Sequence, residues 1–474
     1  MLFFHEPWRD EMQAFSLANT SNSIAELINA TRYEGHPSLW FIILFLFTRF
    51  TSSVIVIQIV HLAIMSTGVF VFLKYAPLKM IQKILIIFGY YFIYEYSLLF
   101  RCYAIGITLL FIICVLIERK KIVLSGILLF FVFQSNVYSL FLGTSLWMIC
   151  FFSFYKLSAR KTILASIIVV AGILLFFFNV LPLQDAGYAA GYQLNFLPIL
   201  SNTINIWKSF IVIPKLDVHF WNSSILDYLS ENNALLIMRI GTGFIALFCL
   251  FYLRKSNKAV IYFLISTITI ILFSAIKFDG YLRHNGHIFI SFIIALWIKE
   301  ILPNKTSEIP AIDKTKGIIA QWYHKINKDY LLNTLLLIHV FCGILAYSYE
   351  YRYSFSKAKE VASYLKENKM TDFQIIGHSD FSISTIAAML NKKVYYPTSK
   401  DYFTHIVWNN KRNENVTDED LMHLIIQMAK SKTPVLLITS YEIKNKKLLN
   451  SYNVKLLKAF KPAIVDSEEY YLYN

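Results

Sequence analysis

The feature that most constrains this chain is a series of long apolar segments joined by short, mostly basic connections. Of its 474 residues, 56% are hydrophobic and only 16% are charged, and the mean hydropathy is +0.51. A water-soluble core cannot absorb so much apolar surface, whereas a bilayer accommodates apolar helices of about 20 residues. The pattern therefore predicts a polytopic α-helical membrane protein.

We expect about ten full spans, several of them near the minimum length of about 17 residues. The predicted spans are 54–74, 81–97, 101–117, 122–135, 137–155, 162–181, 234–253, 259–277, 285–302 and 330–348. The apolar segment 38–50 is too short to cross. We predict that it forms a juxtamembrane helix lying half sunk on the outer face.

The density of lysine and arginine alternates from one connection to the next and so indicates the orientation of the chain. Dense stretches occur at 74–83, 119–121, 156–161, 254–258 and 299–328, and sparse connections lie between the dense ones. Because positive loops stay in the cytoplasm, the first loop 1–53 and the long loop 182–233 are predicted outside, with the C-terminal tail. The positive loops that set the orientation also explain the net charge of +15, so the charge does not call for a nucleic-acid partner.

From residue 349 the composition becomes that of a small soluble domain. Residues 373–377 and 434–438 are predicted to form buried parallel strands, with helical stretches near them and a Tyr-rich strand at the end of the chain. The sequence thus predicts a membrane domain, 1–348, and an extracytoplasmic α/β domain, 349–474. No glycine-rich phosphate loop is present in this second domain.

Four groups of polar residues stand at span ends or in short loops of the predicted outer face. They are Asp10 with Glu11; Glu34 with His36; Glu95 with Arg101 and Tyr103; and Lys277 with Asp279, Arg283 and His284. Ionisable groups at membrane depth are costly and concentrate at functional sites. A carboxylate beside several cations suits a reaction with an anionic lipid phosphate, in which the cations bind phosphate and the carboxylate accepts a proton from an attacking hydroxyl.

Two of these segments resemble a known family. His5-Glu6-Pro7-Trp8-Arg9-Asp10-Glu11-Met12-Gln13-Ala14 and Tyr33-Glu34-Gly35-His36-Pro37-Ser38-Leu39-Trp40 resemble the first outer loop of the membrane GT-C glycosyltransferases. The resemblance is closest to the bacterial branch of aminoarabinose and protein O-mannosyl transferases and their uncharacterised relatives. Phe100-Arg101-Cys102-Tyr103-Ala104 and Leu282-Arg283-His284-Asn285-Gly286 are similar to that branch as well.

The resemblance implies a multi-pass enzyme of the bacterial inner (plasma) membrane with an extracytoplasmic active site. Its expected partners are membrane lipids, a polyprenyl-phosphate-linked sugar donor, and a glycan, lipid or protein acceptor that receives the sugar with inversion. The family places a span ahead of the first loop. None precedes His5 here, so the N-terminus is expected outside unless an upstream span lies beyond this sequence.

The resemblance implies a role for Asp10 alone. The roles of the other site residues are predicted from the chemistry of an inverting displacement, in which a carboxylate reaches the acceptor hydroxyl and cations stabilise the departing phosphate. Asp10 is the expected catalytic base, and Glu11 is its neighbour that orients the acceptor or a divalent cation, the one cofactor considered. Arg101 and Arg283 are the expected phosphate ligands. The substrate-binding set is completed by His284, Lys277, Tyr103, Glu34 and His36.

Structural interpretations of the same residues remain open. Asp10 and Glu11 could belong to a solvated tail, and Glu34 and His36 could cap the helix that begins at Pro37. Glu95 and Arg101 could form an ion pair that closes a hairpin. Lys277 and Arg283 could be anchors at the membrane interface. Alternative functions are a transporter or flippase of lipid-linked sugars, a polysaccharide polymerase or ligase, and a non-catalytic scaffold. Transporters are typically built from repeats, and the sequence shows no internal repeat.

Overall fold

The structure is a computed structural model that describes residues 2–187, 196–303, 328–430 and 433–474. Residues 188–195 of the predicted long loop lie outside the described residues. The same is true of most of the basic stretch 299–328.

Within these ranges, six helices are long and apolar enough to cross a membrane. They are Val54–Tyr75, Val137–Leu157, Ala159–Val180, Glu231–Leu253, Asn257–Ile276 and Asp329–Arg352. Their lipid-compatible surfaces are large, because only 28% to 56% of the apolar window of each helix is buried. The chain is therefore a membrane-embedded protein.

The expectation of about ten spans is not confirmed. Helix Tyr103–Glu118 has 16 residues and helix Ile122–Phe133 has 12. At about 1.5 Å per residue, a 12-residue helix extends roughly 18 Å, well short of a hydrocarbon core of about 30 Å. The predicted span 81–97 is interrupted, since helix Met80–Ile87 is followed by a five-residue π-helix, Tyr91–Glu95.

Helix Leu282–Ile301 lies at the centre of the bundle. All its residues from Arg283 to Ile298 are buried, as expected for a helix with neighbours on every side. It packs against helices Asn257–Ile276 and Asn205–Phe210. Because its first turn contains Arg283 and His284, these polar groups are fixed at one end of the bundle.

The two predicted outer loops contain short helices. The first loop folds into Arg9–Thr20, Ile24–Thr31 and Leu39–Thr48. The last of these corresponds to the predicted short helix at 38–50, and its ten residues are too few to cross a bilayer. The described part of the long loop contains Phe196–Asn202, Asn205–Phe210 and the 3-10 turn Ile225–Tyr228.

The C-terminal part forms one six-stranded sheet flanked by helices. Its strands are β1 Gln374–His378, β2 Val394–Tyr396, β3 Asp401–Phe403, β4 Val435–Thr439, β5 Leu456–Phe460 and β6 Tyr470–Tyr473, in the order β3-β2-β1-β4-β6-β5. Strands β1 and β4 pair in parallel, as predicted, and both are buried. The helices are Ala358–Glu367, Asp380–Leu390, Asp418–Ala429 and Lys446–Ser451, with the 3-10 turn Asp466–Glu468.

Helix Arg9–Thr20 joins the two parts of the molecule. It packs against Leu39–Thr48 of the first loop on one side and against Asp380–Leu390 of the C-terminal domain on another. At its first turn, the backbone N–H of Arg9 donates to the buried carboxylate of Glu468 at 2.9 Å. The position of this helix is therefore set by both domains together.

Candidate functional site

A cavity of about 1260 Å³ lies between the first loop, the ends of several membrane helices and the C-terminal domain. One end of it is charged. Seven of the nine residues predicted for the site line this end: Asp10, Glu34, His36, Arg101, Lys277, Arg283 and His284. Three separate stretches of the chain thus contribute to one polar chamber.

Asp10 lies between two arginines at this charged end. Its Oδ2 is 3.0 Å from Nη2 of Arg283 and 3.5 Å from Nη2 of Arg101. Burial disfavours the charged carboxylate, but the arginines outweigh burial and hold the pKa of Asp10 below its ordinary value. Asp10 is therefore an ionised, ion-paired group that remains partly open to the cavity, with 27% of its side chain exposed.

The Arg283 guanidinium has N–H donors without a hydrogen-bond partner among the described residues. The side chain is only 5% exposed, and its guanidinium lies against the rings of Trp8 and Trp221, 5.2 and 5.5 Å from the ring centroids. Nη2 is bound to Asp10, but Nε and Nη1 have no hydrogen-bond partner among the described residues. A buried guanidinium with unpaired N–H groups is costly, so this geometry suits an anionic ligand.

Glu34 and His36 carry less charge than their residue types suggest. Burial raises the pKa of Glu34 to about 7, and Nε2 of Gln13 donates to its Oε1 at 2.8 Å. Burial, followed by the nearby Arg101, lowers the pKa of His36 to about 3, so its imidazole is neutral. The following helix begins at Leu39 with Ser38 as its N-cap residue, so neither side chain caps it.

Glu11 does not line the cavity with its neighbour Asp10. It is fully buried and accepts hydrogen bonds from the backbone N–H of Trp8 at 3.0 Å and of Phe100 at 2.7 Å. The imidazole of His5 lies 3.0 Å from the same carboxylate. Glu11 therefore ties the first loop to the segment that carries Arg101, a positioning contact rather than a contact with a ligand.

Tyr103 and Glu95 are also set back from the cavity lining. The hydroxyl of Tyr103 lies 2.8 Å from Nε2 of His284 and so helps to fix the position of that ring. Glu95 accepts from Tyr90 at 2.9 Å and from the indole of Trp221 at 3.2 Å. The structural interpretation in which Glu95 pairs with Arg101 is therefore wrong.

The other end of the cavity is apolar. Its lining comes from the ends of three candidate spans, Val137–Leu157, Ala159–Val180 and Asn257–Ile276. The side chains are those of Val137, Leu140, Phe141, Phe176, Phe177, Val180, Phe273 and Ile276. One chamber thus combines an ion cluster with a surface suited to hydrocarbon.

The C-terminal domain supplies a further side of the cavity, which sequence reasoning missed. Phe381, Ser384, Ile406, Trp408, Asn409, Asn410, Arg412, Glu414 and Ser467 line it. Gln13 was missed as well, although it stands three residues after Asp10 and so on the same helix face. No local signal marked residues 406–412, because their proximity to Asp10 depends on how the two domains pack.

A divalent cation was considered beside Glu11. Among the described residues, the group with suitable ligand spacing is His219, Asp466 and Glu469, whose ligand atoms lie within 4.8 Å of one another. These side chains lie at the surface between the long loop and the C-terminal domain, not at Glu11. Both carboxylate oxygens of Glu11 already form hydrogen bonds with protein groups, so neither oxygen is placed to bind a metal ion.

The fold and the site define a class: a multi-pass membrane protein with a C-terminal α/β domain and a cavity that is charged at one end and apolar at the other. Comparisons with family models, with curated proteins and with solved structures found no match to this chain. Because a fold does not by itself imply a function, the geometry of the cavity is the evidence for what this protein does.

Proposed function

We propose that this protein is an inverting glycosyltransferase that uses a polyprenyl-phosphate-linked sugar as donor. The observation that carries this proposal is the single cavity in which the cluster of Asp10, Arg101 and Arg283 adjoins an apolar surface formed by membrane helices. A lipid-linked sugar phosphate has the same two parts, an anionic head and a hydrocarbon tail. The cavity lining therefore offers both kinds of surface that such a ligand needs.

Arg283 and Arg101 would bind the donor phosphate. Arg283 offers Nε and Nη1, and Arg101 offers Nε, none of which has a partner among the described residues. Two guanidinium groups also stabilise the negative charge that develops on phosphate as the sugar departs. The hydrocarbon chain would extend along Phe141, Phe177 and the other apolar lining residues.

Asp10 would act as general base. Its oxygen takes the proton of the acceptor hydroxyl while that oxygen attacks the anomeric carbon from the face opposite the phosphate. The new C–O bond forms as the bond to phosphate oxygen breaks, and the phosphate leaves with the electron pair. No general acid is required, because phosphate is already a good leaving group.

Donor binding would also increase the basicity of Asp10. In the free protein, Arg101 and Arg283 lower the pKa of Asp10. A bound phosphate shares these two cations, so their stabilisation of the Asp10 carboxylate weakens and its proton affinity rises. The base would thus be most effective when the donor is in place.

In the proposed orientation, the protein lies in the inner membrane of a bacterium. The cavity and the C-terminal domain lie on the outer side of that membrane. The positive-inside pattern of the connections supports this orientation. The opposite ends of the helices carry Lys79, Arg254, Lys255 and Lys299. The cavity is lined by one end of each helix only, which favours an enzyme over a transporter with a path to both faces.

The test is incubation of the purified full chain in lipid nanodiscs with a panel of radiolabelled polyprenyl-phosphate sugars. We expect turnover or slow hydrolysis of one donor, and a loss of about a thousandfold in Asp10→Asn. Asp279→Asn is the matched control, because Asp279 is a nearby carboxylate that does not line the cavity. Equal rates in wild type and Asp10→Asn would refute the assigned base, and no turnover of any donor would refute the class.

A further inference from the structure

Residues 406–410 form an irregular segment of the C-terminal domain whose position is fixed from both sides. At one end, Gln13 Nε2 donates to the carbonyl of Ile406 at 2.7 Å, and the Ile406 N–H donates to Gln13 Oε1 at 2.9 Å. Gln13 belongs to the helix that carries Asp10. These two hydrogen bonds therefore fix the position of the segment relative to the helix that carries the proposed catalytic residue.

At its other end, the segment is bound to the long loop. The backbone N–H of Gly187 donates to the carbonyl of Trp408 at 2.9 Å, and that of Asn410 donates to the carbonyl of Asp185 at 2.7 Å. The Asp185 carboxylate in turn accepts from the hydroxyl of Tyr33 at 3.0 Å. Backbone held at both ends presents its side chains in fixed positions, as a binding surface requires.

The side chains presented by this segment are amphipathic and uncharged. Trp408, Asn409 and Asn410 all line the cavity. Within the described ranges, no hydrogen bond joins the indole N–H of Trp408 or the side-chain amide of Asn410 to another residue, and Asn410 is exposed. Both groups are thus open to a ligand.

The neighbouring charge is already compensated. Arg412 lies over the Trp408 ring at 4.4 Å from its centroid, but its Nε and Nη2 each bind the Asp380 carboxylate at 3.0 Å. Its Nη1 donates to Glu414 at 3.1 Å. The guanidinium therefore supports the ring, and Lys411 does not line the cavity. The part of the cavity formed by residues 406–412, here called the wall 406–412, thus has little net charge with which to select an anion.

We infer that the wall 406–412 binds a saccharide, so that the acceptor is a carbohydrate hydroxyl. An indole face for the apolar side of a sugar ring, with amide groups for its hydroxyls, is the chemistry a sugar needs. The inference rests on the proposed function and narrows its acceptor to the sugar part of a glycan or of a glycolipid.

The other acceptor classes fit the wall less well. A lipid acceptor without sugar would need a second apolar channel, and the apolar lining comes from the three membrane helices assigned to the donor. A peptide recognised by strand addition needs an open sheet edge. The edge strand nearest in sequence, β3, has three residues and does not line the cavity.

The experiment uses printed arrays carrying oligosaccharides of bacterial envelopes, glycolipids, Ser- and Thr-containing peptides, and sugar-free lipids. The full chain in nanodiscs is applied without donor. We expect binding to glycans or glycolipids, reduced about tenfold in Trp408→Ala and partly kept in Trp408→Phe. Tyr402→Ala is the control, because Tyr402 is an exposed aromatic residue of the same domain outside the cavity.

Binding to peptides or sugar-free lipids alone would overturn the inference, as would glycan binding unchanged in Trp408→Ala. Asn410→Leu is a second variant in case Trp408→Ala fails to fold, and the same loss is expected. Because no donor is present, the array result is independent of catalysis. Glycan binding without donor turnover would refute the glycosyltransferase, whereas turnover without glycan binding would refute only the acceptor class.

Discussion

The Oδ2 of Asp10 lies 3.0 Å from Nη2 of Arg283, although 273 positions separate the two residues in the sequence. The contact brings the first turn of the first helix against the first turn of the central helix. It places a carboxylate and a buried guanidinium, whose Nε and Nη1 are unpaired among the described residues, in the lining of one cavity.

Replacement of Arg283 by alanine should weaken donor binding about a hundredfold, because a buried guanidinium then no longer meets the phosphate. Arg283→Lys should restore only part of the affinity, since an ammonium lacks the planar fork and the stacking on Trp8. The measurement is calorimetric binding of polyprenyl phosphate. Arg119→Ala, which removes a cation that lies against Tyr75 away from the cavity, should bind as wild type does.

Donor affinity should decrease as the pH rises through about 7. Burial raises the pKa of Glu34 to about 7, so the side chain is neutral below this pH and ionised above it. The ionised form adds a negative charge beside the phosphate and should raise the donor KM roughly threefold to tenfold. The KM of Glu34→Gln should stay flat across pH 6 to 8, whereas Glu26→Gln, on the exposed face of helix Ile24–Thr31, should retain the wild-type profile.

Glu468 should make stability depend on pH. Burial raises its pKa to about 7, so the folded state binds this proton more tightly than the unfolded chain, whose Glu titrates near 4.5. Its stabilising contribution is therefore complete below about pH 4.5 and is lost as the pH rises through 7, by as much as about 3 kcal/mol.

The check is the difference in unfolding midpoint between wild type and Glu468→Gln, measured from pH 4.5 to pH 8. We expect the advantage of wild type to shrink steadily over this range. Its neighbour Glu469→Gln serves as control. A difference that is constant with pH would show that Glu468 does not titrate in the folded protein within this window.

Gln13→Ala should weaken the contact between the C-terminal domain and the helix that carries Asp10. The substitution removes donors and acceptors from Ile406 and Glu34, and a lost buried partner costs about 1 to 3 kcal/mol. We expect a lower unfolding midpoint and a higher acceptor KM with little change in donor affinity. Thr20→Ala is the control, because Thr20 is exposed at the far end of the same helix and its hydroxyl donates to the Ser16 carbonyl of that helix.

The hydrocarbon part of the donor should contribute strongly to affinity. The lining of Val137, Phe141, Phe177 and Val180 offers an apolar surface, and each buried methylene contributes about 0.8 kcal/mol. Competition assays with a series of isoprenyl phosphates should show inhibition that tightens with chain length until the lining is covered. Equal inhibition by inorganic phosphate would contradict the assignment of the apolar end.

Several elements were predictable because local pattern alone determines them. Helix Val54–Tyr75 lies almost where the apolar run 54–74 places it, and the buried strands β1 and β4 lie at the two apolar stretches of the soluble domain. The segment 81–97 was mispredicted, because hydropathy does not reveal a break between helix Met80–Ile87 and the π-helix that follows it. Hydropathy therefore predicts that the chain is a membrane protein more reliably than it predicts the number of spans.

Sequence by itself determined that this chain embeds in a membrane, that an α/β domain follows, and which charged residues stand at helix ends. These properties depend on composition and periodicity, which are local. Only the tertiary structure decided that Glu11 turns inward to Phe100 while Asp10 faces the cavity, and that Gln13 meets Ile406. Such contacts join residues far apart in sequence, so their distances follow from the packing of whole helices and domains.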